Sequence, residues 1–204
     1  MALTAAPYGL RPVKRADGLP YAGAVSQYLI DPAGEATNLF YGQVVQIGSD
    51  GYIALVTGTG ADGTTNSFPG TGTLTGAIGV FVGCEYTNAQ GQRIWSQYYP
   101  TGTANGGSIV ANVVDDPDVL FQAQLNGAAT QSMLGTNTFF AAAQSTSTGS
   151  TQTGNSTSAL TASVVTTTAA FRIVSLVSPT SDSYGDVLVK FNPGYHSLTN
   201  AVGQ

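Results

Sequence analysis

The sequence predicts an all-β protein: a small β-barrel or sandwich of about ten strands with an extended N-terminal arm and long Ser/Thr/Gly-rich loops. Three observations carry that prediction. Short β-branched and aromatic runs recur between clusters of Gly, Pro, Asn and Asp, as strands do between turns. Two pairs of such runs, Gln43 to Val56 and Phe171 to Phe191, read as hairpins. The central stretch Ile109 to Gln124 holds two apolar runs around Asp115, Asp116, Pro117 and Asp118, which reads as strand, tight corner, strand. Val113 and Val114 point to opposite faces of the first of these strands, and Leu120 and Phe121 to opposite faces of the second, so both strands are expected to be buried on both sides.

Taken in order, residues 1–38 are punctuated by Pro7, Pro12, Pro20 and Pro32, with Gly9, Gly18, Gly23 and Gly34 between them. Proline fixes φ and lacks an N–H, so this spacing prevents a helix and predicts an extended arm with one short strand, Ala24 to Ile30. Tyr8, Tyr21 and Tyr28 are its aromatic anchors. Residues 39–204 form the body, either whole or as two packed β subdomains, about 39–100 and 101–204. In the first hairpin, Gly48-Ser49-Asp50-Gly51 offers an Asp-Gly pair suited to the positive φ angles of a primed turn. After a Gly/Thr-rich loop from Thr57 to Thr75, Ala77 to Gly83 has too much Gly for a helix and too little polarity for an edge, which predicts a central strand with close backbone packing. Arg93 to Tyr99 is a strand carrying the only Trp, Trp95, beside Tyr98 and Tyr99, a core or interface anchor.

In the second half, Asn126 to Gly135 has room for one helical turn, and Phe139 to Ala143 is expected to return to strand. Gln144 to Thr168 is mostly Ser, Thr, Gly and Gln, and is expected to be a long exposed loop or hairpin tip with Leu160, Val164 and Val165 as its few inward residues. The closing hairpin pairs Phe171 to Val177 with Asp186 to Phe191 across Ser178 to Gly185.

Composition narrows function. Charged residues are only 8% of the 204, against about 25% in an ordinary globular protein, and a chain this poor in charge is expected to cover its apolar surface with partner subunits. A net charge of −5 argues against nucleic-acid binding, which needs a clustered cationic face; only Arg11, Lys14 and Arg15 cluster. No apolar run approaches the length that spans a bilayer. The single Cys84 excludes an intramolecular disulfide, and no secretory signal is visible.

Few motifs carry chemistry. Gly58-Thr-Gly60-Ala-Asp-Gly63 matches a dinucleotide pattern but is followed by Thr64 to Pro69 rather than a helix, so a surface loop is expected. Asp115, Asp116 and Asp118 place carboxylates together but lack the Gly and distal Glu of a calcium loop; they read as a structural acidic corner that caps amides or pairs with a basic residue. His196, the only histidine, has no Gly-x-Ser-x-Gly elbow to serve and reads as a strand-end cap. Cys84 precedes Glu85, whose charge would raise its pKa, so inert packing is expected. Asn155-Ser156-Thr157 is a glycosylation sequon met by chance. Neither a catalytic residue, a cofactor nor a metal is expected.

Several stretches together resemble the decoration, or cement, proteins of tailed-bacteriophage heads. Pro7 to Val13 is similar to that family's opening, Val114 to Gln124 to its central Asp-Asp-Pro-Asp-Val-Leu-Phe signature, and Arg172 to Val177 with Val187 to Asn192 to its closing hairpin. The departure is Pro193-Gly194-Tyr195 before His196, where a shorter link is expected. The resemblance implies a non-enzymatic virion protein, made in the bacterial cytoplasm, that binds the outer surface of an icosahedral head and bridges major capsid protein subunits. On this reading Tyr8, Arg11, Lys14, Arg15 and Tyr21 of the arm face the capsid, and Trp95, Tyr98 and Tyr99 form an oligomer interface. A homotrimer suits local threefold positions of a shell; a dimer is the alternative. The other reading is a virion-surface carbohydrate-binding module or adhesin that uses exposed Tyr residues and the polar loops.

Overall fold

The computed structural model describes residues 4–31, 37–61, 76–102, 108–145 and 148–199. These form eleven strands: β1 (Arg11–Arg15), β2 (Ser26–Ile30), β3 (Val44–Ile47), β4 (Ile53–Leu55), β5 (Ala77–Thr87), β6 (Arg93–Ser96), β7 (Ile109–Val114), β8 (Val119–Gln124), β9 (Asn137–Thr138), β10 (Phe171–Leu176) and β11 (Asp186–Phe191). The only helical turns among the described residues are two 3-10 turns, Gln131–Met133 and Ser197–Thr199. The protein is all-β, with two antiparallel sheets arranged as a sandwich. One sheet has the order β1-β8-β11-β10-β9; the other has β2-β7-β5-β3-β4, with β6 added beside the far end of β5.

Two cores result. Between the sheets lie Phe121, Phe171, Ile173, Val187, Val189 and Phe191 of the five-stranded sheet, meeting Val44, Val80 and Val114 of the other. The opposite face of the six-stranded sheet has its own core of Ile30, Val45, Ile53, Phe81, Cys84, Ile109 and Val113, because that sheet curls until β4 touches β2. Val113 and Val114 thus belong to different cores, as strand alternation at a doubly buried strand requires. β5 threads both, and at Gly79 an added Cβ would lie 2.2 Å from the carbonyl oxygen of Val114, so only glycine admits the β7 backbone there.

Residues 115–118 carry the chain from one sheet to the other, since β7 belongs to the six-stranded sheet and β8 to the five-stranded one. The six-stranded sheet thus extends past residue 100, to Val114. The N-terminal segment also differs from a separate arm. It is extended, but what it lies across is the body itself, with β1 as an edge of one sheet and β2 as an edge of the other. Leu10 is 0% exposed in the core between the sheets, and its N–H donates to the carbonyl of Gly42. Proline and glycine ruled out a helix, but an extended segment with apolar residues is equally able to pair with a sheet edge.

Three smaller expectations are corrected. At the β3–β4 turn only Gly51 has positive φ, +82°, while Asp50 accepts the Tyr52 N–H at 3.1 Å; no primed turn forms, because an Asx bond and one left-handed glycine close the loop. Phe139 to Ala143 forms no strand; Phe140 makes a single bridge to Leu160, and the strand here is β9. The Ser/Thr-rich segment is exposed only in part: Leu160 is buried as expected, but Gln144, Ser156, Ser158 and Thr161 are buried as well, while Thr151 to Thr153 and Thr166 to Thr168 are exposed. Gln144 pairs with main chain: it accepts the N–H of Val44 at 2.9 Å and donates to the carbonyls of Val44 and Val56. Of Gly58 to Gly63, the residues after Ala61 lie outside the described residues, as do Pro32, Gly34 and most of the Thr57 to Thr75 loop.

Candidate functional site

The acidic corner distributes its carboxylates over both sheets. Asp115 accepts the hydroxyl of Tyr28 on β2 at 2.8 Å; Asp116 pairs with Arg15 of β1 and accepts the Asp118 N–H at 2.8 Å; Asp118 pairs with Lys190 of β11 at 2.6 Å. Each carboxylate is engaged with a different element, so the corner ties three strands to one turn. Lys190, by hydrogen bond and charge, holds the Asp118 carboxyl below its usual range. Burial foremost, then the bond to Asp115, pushes Tyr28 up to about 12.

The arm residues stand on the same edge of the sandwich. Tyr8 donates its hydroxyl to Asp186 at 3.1 Å, and Arg11 lies over its ring at 4.6 Å from the centroid. Burial first, then Asp186, raises the Tyr8 pKa. Tyr21 packs against the inter-sheet core and donates to the carbonyl of Ala24 at 2.6 Å; burial chiefly pushes its pKa up to about 12. Arg15 bridges Asp17 and Asp116. Arg11 and Lys14 have no carboxylate within ion-pair distance among the described residues. Val13, Leu19, Val25 and Leu29 are exposed here, four of the nine large exposed apolar side chains among the described residues.

The three aromatics around β6 do not share a surface. Tyr99 is a core residue, exchanging backbone hydrogen bonds with Leu39, and Tyr98 stacks on Phe40 at 5.5 Å. Trp95 alone is displayed, 61% exposed, with its indole over Gly83. The expected contiguous interface is therefore reduced to Trp95, because the chain turns inward after Ser96 and takes Tyr99 into the second core.

His196 is buried against Phe191, ring edge to face at 5.3 Å, and its Nδ1 accepts the Leu198 N–H at 3.3 Å. Burial depresses its pKa to about 4 against the opposing pull of Asp115 and Asp116. Cys84 is buried, and burial, with Glu85 second, pushes its thiol up to about 12, which removes the thiolate at neutral pH.

A cleft of about 350 Å³ opens where the corner meets β10 and β11, lined by Pro117, Asp118, Arg172, Val174, Lys190 and Phe191 among others. The sequence reading did not single it out. Its signal was available in the alternation of β10: Phe171 and Ile173 face the core, which turns Arg172 and Val174 outward. No family model, curated protein or solved structure matches the chain.

Proposed function

We propose that this chain is a non-catalytic virion structural protein that binds the outer surface of an icosahedral phage head and cements neighbouring major capsid protein subunits. The observation that supports this most is the N-terminal segment. It forms one side of each sheet, with β1 bonded through main chain to Leu19 and Tyr21 and β2 touching β4, and it exposes Val13, Leu19, Val25 and Leu29 beside Arg11 and Lys14. Exposed apolar side chains beside cations offer a partner area to bury and charges to pair. The resemblance at residues 7–13 and 114–124 supports the same reading. The double variant Leu19→Asp/Leu29→Asp is expected to lose binding to expanded heads at an unchanged melting temperature. Decoration equal to the unmodified protein would refute the proposed contact.

One observation favours a carbohydrate-binding alternative: an exposed indole lying over glycine is a flat stacking surface for a sugar ring. Because Trp95 is the only tryptophan, a saturable change in intrinsic fluorescence on adding oligosaccharides would support that reading, and no change would count against it.

A further inference from the structure

Arg172 and Lys190 are direct partners across the β10–β11 ladder, two like charges placed opposite each other. Such a pair is destabilising unless each charge is offset. Lys190 is offset by Asp118 at 2.6 Å. Arg172 has no carboxylate within ion-pair distance among the described residues; its Nε donates to Asn137 Oδ1 at 3.2 Å. Asn137 is itself buried and fixed, accepting from Asn192 at 3.0 Å and donating to the carbonyl of Thr167 at 2.8 Å. The guanidinium is thus oriented through Nε, while no carboxylate of the described residues takes its two terminal nitrogens.

We propose that the cleft beside Arg172 binds an extended peptide bearing one Asp or Glu side chain between apolar or proline residues. The two terminal nitrogens of the guanidinium match the two oxygens of a carboxylate, a fit that a lysine ammonium does not provide. Asp118 on the rim disfavours a dianion such as phosphate and leaves room for one negative charge. Val174, Phe191, Pro117 and Pro193 supply an apolar lining for the flanking residues. The volume is at the lower end of the roughly 300–1,000 Å³ typical of ligand sites, which suits two or three residues rather than a folded domain. The inference does not rest on head binding, since the site is complete within one chain.

Titration of the isotope-labelled full chain with acetyl-Val-Glu-Pro-Val-amide, followed by NMR, tests this. Saturable shifts are expected at the Arg172 Nε–H and the Asn192 side-chain amide. The Gln-for-Glu peptide is expected to bind about tenfold more weakly, the factor for one charge-assisted hydrogen-bonded pair. Arg172→Gln should weaken the Glu peptide by a similar factor, and Asp118→Asn should tighten it by releasing Lys190. Equal affinity for the two peptides, no effect of Arg172→Gln, or acetate alone saturating the same resonances as tightly as the peptide would overturn the proposal. Because the assay contains no heads, its failure is separate from failure of the cementing function.

Discussion

Acid should weaken this fold through His196, and the size of the effect follows from its surroundings. The ring is 1% exposed, its Nδ1 accepts a backbone N–H, and the remaining proton therefore sits on Nε2 of a neutral imidazole. Burial lowers its pKa from 6.5 to about 4. The unfolded chain takes up the proton first, so the stability that the neutral ring contributes is fully present above pH 6.5 and is lost as pH falls through about 4. At 1.36 kcal/mol per pKa unit the loss is about 3 kcal/mol. Urea unfolding of the unmodified protein and of His196→Gln at a series of pH values from neutral to acid checks this. Carboxylates titrate in both proteins and cancel in the difference. The stability gap between the two should shrink by about that amount on acidification; a gap constant with pH would refute the reasoning.

Leu10→Ala removes a fully buried side chain between the sheets and should cost about 2–5 kcal/mol in urea unfolding. A chain begun at Ala24 lacks β1 as well and should lose the cooperative transition; an unchanged midpoint for either would show that the segment is not part of the core. Chelator should leave the melting temperature unchanged, because Asp115, Asp116 and Asp118 are each held by protein partners; a drop of several degrees, reversed by calcium, would refute this. Light scattering at micromolar concentration should report a trimer, and Trp95→Ala a smaller species at nearly unchanged stability, since the side chain is mostly exposed; a monomeric mass for the unmodified protein would contradict self-association through Trp95.

Local rules made much of the fold legible. Turn residues and alternation located β3 with β4, β10 with β11, and the corner between β7 and β8, because a strand and its hairpin partner are specified within a few residues. The glycines of Ala77 to Gly83 pointed to close packing, which Gly79 against Val114 shows. The same reasoning placed a strand near residues 24–30 and an acidic corner at 115–118.

Partner choice was not legible. Lys14 pairs with Leu120, and Ser26 with Val113, across more than eighty residues, and nothing in the local pattern of either segment names its partner. Hence an extended segment read as an arm became an edge of both sheets. Gln144, in a loop read as exposed, is buried because distant main-chain groups of Val44 and Val56 are there to satisfy it. The Arg172 cleft has the same origin: β10 and β11 are adjacent in sequence, but Asp118 and Asn137, which separate the compensated cation from the uncompensated one, arrive from elsewhere in the chain. The sequence by itself determined the two hairpins and the corner at 115–118, though not β1 or β9, because a hairpin depends on neighbours along the chain. The tertiary structure decided which edges meet and which charges are left without a counterpart, because those depend on neighbours in space.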